Sequence, residues 1–168
     1  MKKIGRTLNI KSNKDAFVVS VAIALLLASA LLVTYFVALR PLQAGYTTIY
    51  LLDSNRKAVD YPEYLVAGVN STFSVYVDVE DHLGRNLTNA QVLVKITDNM
   101  KSSFPVDAPV TQTFAGFVQD QTMWENMATI SLDQPGSYLV FFELWIPNQN
   151  GALQFSGNFC VLNVQVAA

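Results

Sequence analysis

Reactive side chains are scarce in this sequence. Its 168 residues include one cysteine, Cys160, and one histidine, His82. One cysteine excludes an intrachain disulfide, and a cysteine and a histidine 78 positions apart do not indicate a thiol-based catalytic pair. The sequence also lacks the G-x-S-x-G, H-E-x-x-H and glycine-rich phosphate-loop motifs. We therefore predict a protein that is not an enzyme, with no catalytic residues, no metal site and no cofactor.

Basic residues are scarce beyond residue 41. Residues 41–168 hold five Lys or Arg and twelve Asp or Glu, a net charge of −7, whereas residues 1–15 hold five basic residues and one acid. An exterior this acidic argues against nucleic-acid binding, which needs clustered Lys and Arg. The contrast also predicts an orientation, because basic residues beside an apolar span stay in the cytoplasm.

One long segment carries no charge at all. Residues 16–39 (AFVVSVAIALLLASALLVTYFVAL) would form a helix of about 36 Å, enough to cross a hydrocarbon core of about 30 Å. The segment is longer than the apolar core of a cleaved signal peptide. We predict a retained signal anchor: a cytoplasmic tail at 1–15, a transmembrane helix at 16–39, a linker at 40–45 and a domain outside the cell membrane at 46–168.

Small side chains recur every four residues along this span. Ala16, Ser20, Ala24 and Ala28 would lie on one face of the helix. Such rows let transmembrane backbones approach closely, because packing drives helix association in lipid. Two interpretations stay open: a helix-packing face for a membrane partner, or the alanine content common in such spans.

Beyond residue 45 the sequence is typical of strands. Residues 72–80 (TFSVYVDVE) alternate strictly, with apolar side chains on one side and polar ones on the other. Similar runs cover residues 46–52, 91–97, 111–118, 128–132, 137–146 and 155–166. About seven strands predict a mainly β fold, an antiparallel immunoglobulin-like β-sandwich that follows one transmembrane helix, with a barrel as the alternative.

Three candidate chemical sites lie in these strands and their turns. Asp78 and Glu80 share the outward side of one strand and could meet calcium, but more oxygen ligands would be needed, so we predict a solvated acidic face. Asn70 and Asn86 begin N-x-S/T sequons beside turns and are predicted N-glycosylation sites. For Cys160, within a strand, we predict a buried, unreactive thiol, with an intermolecular disulfide as the alternative.

Several phrases of the exterior occur in an order that suggests a family. They are residues 46–53 (YTTIYLLD), 58–62 (AVDYP), 65–68 (LVAG), 77–84 (VDVEDHLG) and 141–145 (FFELW). Together they resemble an archaeal membrane-protein family known as domain of unknown function 1616, although Asp81 stands where that family usually has asparagine. The resemblance covers most of residues 45–165. It implies an anchored exterior β domain and no activity.

These observations predict a non-enzymatic, single-pass envelope protein with its N-terminus in the cytoplasm. Its β-sandwich would contact a protein or glycan of the envelope, and its helix the lipid bilayer. One alternative is an accessory subunit of a larger membrane complex, docked through the face of Ala16, Ser20, Ala24 and Ala28. A pilin-like filament subunit is disfavoured, because the apolar run has no early glutamate and Gly5-Arg6 lies about ten residues before it. The oligomeric state stays open.

Overall fold

The computed structural model of the protein describes residues 13–38, 45–68, 71–99 and 103–168. The chain divides between Gln43 and Ala44 into two compact units. The first contains one helix, α1 (Asn13–Ala38). The second contains the strands, so the organisation into one apolar helix followed by a β domain is confirmed.

Helix α1 is continuous and apolar on all sides. Its stretch Ala16–Phe36 has a mean hydropathy of 2.8 and is, within the described ranges, the one helix long and apolar enough to cross a membrane. The hydroxyl groups of Ser20, Ser29 and Thr34 donate to carbonyl oxygens four residues earlier, at 2.7–2.8 Å, so each is satisfied inside the helix. These properties fit a membrane anchor or an N-terminal signal sequence.

Eight strands form two sheets. In chain order they are β1 (Tyr46–Leu52), β2 (Tyr64–Val66), β3 (Thr72–His82), β4 (Leu87–Thr97), β5 (Val110–Val118), β6 (Met123–Ser131), β7 (Gly136–Pro147) and β8 (Leu153–Ala167). The first sheet has the order β1-β3-β6, and the second has the order β2-β8-β7-β4-β5. All pairs are antiparallel except β2 with β8, which is parallel. The predicted β-sandwich is therefore confirmed.

The core lies between the two sheets and follows the alternation of the strands. Val75, Val77 and Val79 of β3 are fully buried, as are Phe142 and Leu144 of β7. Each such side chain stabilises the fold by roughly 1.5–3 kcal/mol relative to an exposed one. Since the period of a strand is two, the residues between them must point outward, and these outward residues form the two outer faces of the sandwich.

Three strand assignments differ from the sequence prediction. Strand β4 begins at Leu87 rather than at residue 91. Strand β2 was not expected, because three residues just after a proline carry no periodic pattern, and their partner, residues 165–167, is about 100 positions away. Strand β6 begins at Met123 rather than at residue 128. The sequence of residues 123–127 (MWENM) does not show a strand alternation, because the apolar side chains of Met123 and Met127 lie on the exposed side of the sheet.

Candidate interaction surface

The outward side of the five-stranded sheet is built from three rows of residues that cross its strands. We call these rows the apolar face. In strand order they are Ala115, Gln91, Trp145 and Phe155; then Thr113, Leu93, Glu143 and Phe159; then Lys95, Phe141 and Val161. Lys95 and Glu143 are the only charged residues among them.

Aromatic rings concentrate on the β7–β8 side of this face. Phe104, from the loop that precedes β5, stacks on Phe159 with ring centroids 3.8 Å apart and meets the edge of Phe141 at 5.8 Å. Trp145 and Phe155 form a further pair at 6.0 Å. Phe104 is 43% exposed and Phe159 is 37% exposed. The rings therefore contact one another and still leave apolar surface open to a partner.

A buried ion pair anchors the loop that carries Phe104. The Nζ of Lys95 lies 2.9 Å from Oε2 of Glu143. Lys95 Nζ also donates to the carbonyl of Val106 at 2.7 Å, and the amide of Val106 donates to Oε1 of Glu143. Both backbone polar groups of Val106 are thus bound by the pair, which fixes the loop two residues beyond Phe104.

The same pair leaves the apolar face without net charge. Trp145 Nε1 donates to Oε2 of Glu143 at 3.1 Å, so the carboxylate receives three donors and the indole N–H is turned inward. Buried charges are tolerated when they are paired and hydrogen-bonded in this way. What the face offers to a partner is therefore mainly ring and aliphatic carbon.

A cleft of about 410 Å³ adjoins the apolar face where β2 meets β8. Its lining includes Tyr61, Tyr64 and Val161, with polar groups from Glu63, Asn163 and Gln165. Tyr64 is 75% exposed. The cleft extends the exposed aromatic surface toward the short strand β2.

The outer face of the three-stranded sheet combines charged side chains with two methionines, Met123 and Met127, which are 54% and 55% exposed. Its central row is Tyr50, Asp78 and Glu125, and Arg56 covers it by a two-point contact with Glu125 at 2.8 and 3.0 Å. Asp78 is fully buried, and neither carboxylate oxygen has a hydrogen-bond partner among the described residues. Loss of hydration, then the charge of Glu125, raises the pKa of Asp78 to about 6.

Asp78 and Glu80 share one face of β3, as predicted, but among the described residues they are not part of a group of carboxylates that could hold a metal ion. Asp78 and Glu80 both point outward, but the prediction of a solvated acidic face is wrong for Asp78, whose side chain is fully buried. The hydroxyl of Tyr50 donates to Glu80 at 3.1 Å. Asp81 points the other way and accepts the amide of Leu83 at 3.0 Å. In the part of the chain that the structure describes, no group of three or more His, Cys, Asp or Glu is placed to hold a metal ion.

The predicted modification and packing residues are placed as follows. Asn86 is exposed in the turn between β3 and β4, where its Oδ1 accepts the amide of Asp120 at 3.0 Å. Asn70 lies outside the described residues. Ala16, Ser20, Ala24 and Ala28 share one face of α1 by their spacing, and the Ser20 hydroxyl is satisfied by Ala16. Glycosylation and helix association stay predictions.

The sequence prediction missed Phe104, Lys95 and Glu143 as site residues. Lys95 and Glu143 occupy outward positions in strands, where charged residues ordinarily face water. A signal was present nonetheless, since Glu143 lies within the otherwise uncharged run Ser137–Ile146. Nothing local, however, indicates that a loop covers this pair.

Comparisons with known proteins identify the fold and no family. No protein-family model matches the chain, and neither does any curated protein. The CARDB domain of a Pyrococcus furiosus protein, solved in complex with di-metal ions, is 12% identical with a TM-score of 0.50, over 74% of this chain and 90% of that one. A solution structure of that domain matches equally, over 73% and 94%.

A β-glucosidase of Listeria innocua in complex with glucose also has a TM-score of 0.50 at 12% identity. The match covers 74% of this chain and 16% of the β-glucosidase. At these identities the likeness shows a shared β-sandwich and nothing about ligand or activity.

Proposed function

We propose that this chain is a membrane-anchored, non-enzymatic interaction module that docks an envelope protein on the apolar face of its β-sandwich. Helix α1 spans the cell membrane with the basic tail in the cytoplasm, and the β domain lies outside. The resemblance to the archaeal family of unknown function supports the same arrangement.

The apolar face carries the proposal. Three rows of outward residues hold no free charge, and Phe104, Phe159 and Val161 are 43%, 37% and 46% exposed. Exposed apolar patches of this kind mark interaction sites, because leaving them in water costs free energy.

The chemistry of the apolar face favours a protein partner over a glycan. Sugar recognition needs hydrogen-bonding groups around an aromatic ring, whereas the rings here are mainly phenylalanine and the Trp145 N–H is already used by Glu143. The core of a protein interface is apolar and rich in aromatic residues. An apolar patch on a neighbouring envelope protein is thus the best complement.

The test places a photo-crosslinking amino acid at Phe159 of the full chain in native membranes. Val59 is the control, because it is an apolar residue between β1 and β2 that is 49% exposed and belongs to none of the three rows. We expect one envelope protein to be crosslinked from Phe159 and not from Val59. A second variant, Phe104→Ser, should weaken that crosslink by removing the ring stacked on Phe159.

Three outcomes would contradict the proposal. Equal crosslinking from Val59 would show that contact is not specific to this face. A product that disappears after deglycosylation would assign the face to a glycan. Turnover of a defined envelope substrate by the purified full chain would show that the protein is an enzyme.

A further inference from the structure

The two flanks of the β-sandwich, where the edges of the sheets come together, are closed to different degrees. On one flank, edge strand β1 has three alternate carbonyls capped by side chains. Asn158 Nδ2 donates to Thr47 at 2.8 Å, Cys160 Sγ to Ile49 at 3.3 Å, and Tyr61 Oη to Leu51 at 2.6 Å. These caps occupy acceptors that another strand would need.

The opposite flank, formed by the edges of β5 and β6, is bridged much less. Gln112 Nε2 donates to the carbonyl of Thr129, which joins the two edges at one point. For residues 113–118, no described residue outside β4 forms a hydrogen bond with the backbone. The outer edge of β5 therefore presents a row of free N–H and C=O groups, which is a template for strand pairing.

Strand β5 also lacks the features that normally block such pairing. Its ladder to β4 is regular from Gln112 to Gly116, with register shifts only at either end. Residues 110–118 (VTQTFAGFV) contain no charge and no proline. Natural edge strands are usually protected by lysine, proline, a bulge or short length, and the centre of β5 has none of these.

We propose that two copies of this chain pair edge to edge through β5, in antiparallel orientation. An antiparallel pair of identical strands is related by a two-fold axis perpendicular to the sheet. In that arrangement no register within residues 110–118 opposes two like charges, because the strand has none. The pairing uses free main-chain groups and stands whether or not the apolar face docks another protein.

The two-fold axis of this pair has a consequence for the apolar face. It keeps both apolar faces on the same side, so the two five-stranded sheets become one continuous sheet. Phe117, which is 55% exposed near the end of β5, is then brought close to the corresponding face of the other copy. Pairing thus covers part of the exposed apolar surface of β5 in both copies.

The test uses the full chain in lipid nanodiscs and measures its oligomeric state by single-particle mass. Two variants place charge on exposed outward positions of β5: Thr113→Lys with Ala115→Lys, and Thr113→Glu with Ala115→Glu. We expect a dimer for the unmodified chain and at least about tenfold weaker dimerisation for each charged variant, because pairing would bring four like charges onto one shared edge. An equimolar mixture of the two variants should restore the dimer.

Controls separate pairing from folding and from helix association. Asn163→Lys, at an exposed position of β8 far from β5, should leave the dimer unchanged, and all variants should keep the unmodified melting temperature. A chain that is monomeric throughout would overturn the proposal. So would a dimer that survives both charged variants, which would point to α1.

Discussion

The Nζ of Lys95 lies 2.9 Å from Oε2 of Glu143, and 8% and 0% of the two side chains are exposed. This pair lies on the outward side of a sheet, where water would normally solvate it. It is covered because the loop carrying Phe104 and Val106 is bound to it. The pair therefore determines both the position of that loop and the absence of charge on the apolar face.

Removing the cation of this pair should destabilise the β domain strongly. For Lys95→Met we expect the free energy of unfolding to fall by about 3–5 kcal/mol, because Glu143 remains buried without its partner. The double variant Lys95→Met with Glu143→Leu should recover most of that loss. Denaturant unfolding of the full chain, followed by tryptophan fluorescence, measures both.

The exposed pair of Arg56 and Glu125 provides the control for this experiment. The Arg56 side chain is 62% exposed, so Arg56→Met should lower the free energy of unfolding by less than about 1 kcal/mol. If Lys95→Met lowered the free energy of unfolding no more than Arg56→Met does, the buried pair would not be what holds the loop of Phe104 and Val106 in place.

Asp78 should make the β domain less stable as the pH rises. The pKa of Asp78 in the folded chain is about 6, above the ordinary value of 3.8. The stability that its protonated form contributes is therefore complete below pH 3.8 and is lost as the pH rises through about 6. At pH 7.5 the loss amounts to about 3 kcal/mol. We expect Asp78→Asn to raise the melting temperature at pH 7.5 and to change it little at pH 4.

Glu63→Gln is the control for this pH dependence, because Glu63 is an exposed carboxylate that lies just before β2 and not in the three-stranded sheet. Its melting temperature should follow that of the unmodified chain at both pH values. Equal effects of Asp78→Asn at pH 4 and pH 7.5 would mean that the substitution acts through packing rather than through the charge of a buried carboxylate.

Cys160 should react slowly with alkylating reagents. Burial raises the pKa of its thiol to about 11, and Sγ donates to the carbonyl of Ile49 at 3.3 Å. We expect iodoacetamide at pH 8 to modify the folded chain at least about 100-fold more slowly than the chain in urea, since thiolate is the reactive form. Mass spectrometry over time measures both rates, and a disulfide-linked dimer under mild oxidation would support the alternative instead.

Substitutions in the row of small residues on α1 test the alternative that the chain is an accessory subunit of a membrane complex. Ala24→Leu with Ala28→Leu should release any membrane partner that packs closely on this row, because the added volume separates the backbones. Ala22→Leu with Ala30→Leu adds the same volume away from the row and should have no effect. Co-purification from native membranes with a mild detergent distinguishes the two, and retention in both variants would exclude docking through this row.

Sequence patterns predict much of the core of this fold, because strands such as β3 carry their own alternation. The run containing Val75, Val77 and Val79 needs no information from elsewhere in the chain to identify its buried side. The short strand β2 could not be predicted in this way, because its pairing with β8 depends on a distant segment rather than on its own three residues.

The apolar face was beyond sequence analysis for a different reason. Alternation shows correctly that Lys95 and Glu143 point away from the core, but it does not show what covers an outward position. The covering loop contains Phe104 and Val106, and its position follows from hydrogen bonds between residues 11 and 37 positions apart. Only the folded arrangement brings these groups together.

The neutral character of the apolar face has a thermodynamic consequence. A complex formed on a surface whose one cation and one anion already neutralise each other gains little from long-range attraction, so added salt should hardly change its dissociation constant. Burial of the rings should instead give a negative change in heat capacity on binding. Calorimetry at several temperatures would therefore reveal docking on this face even where ionic strength has no effect.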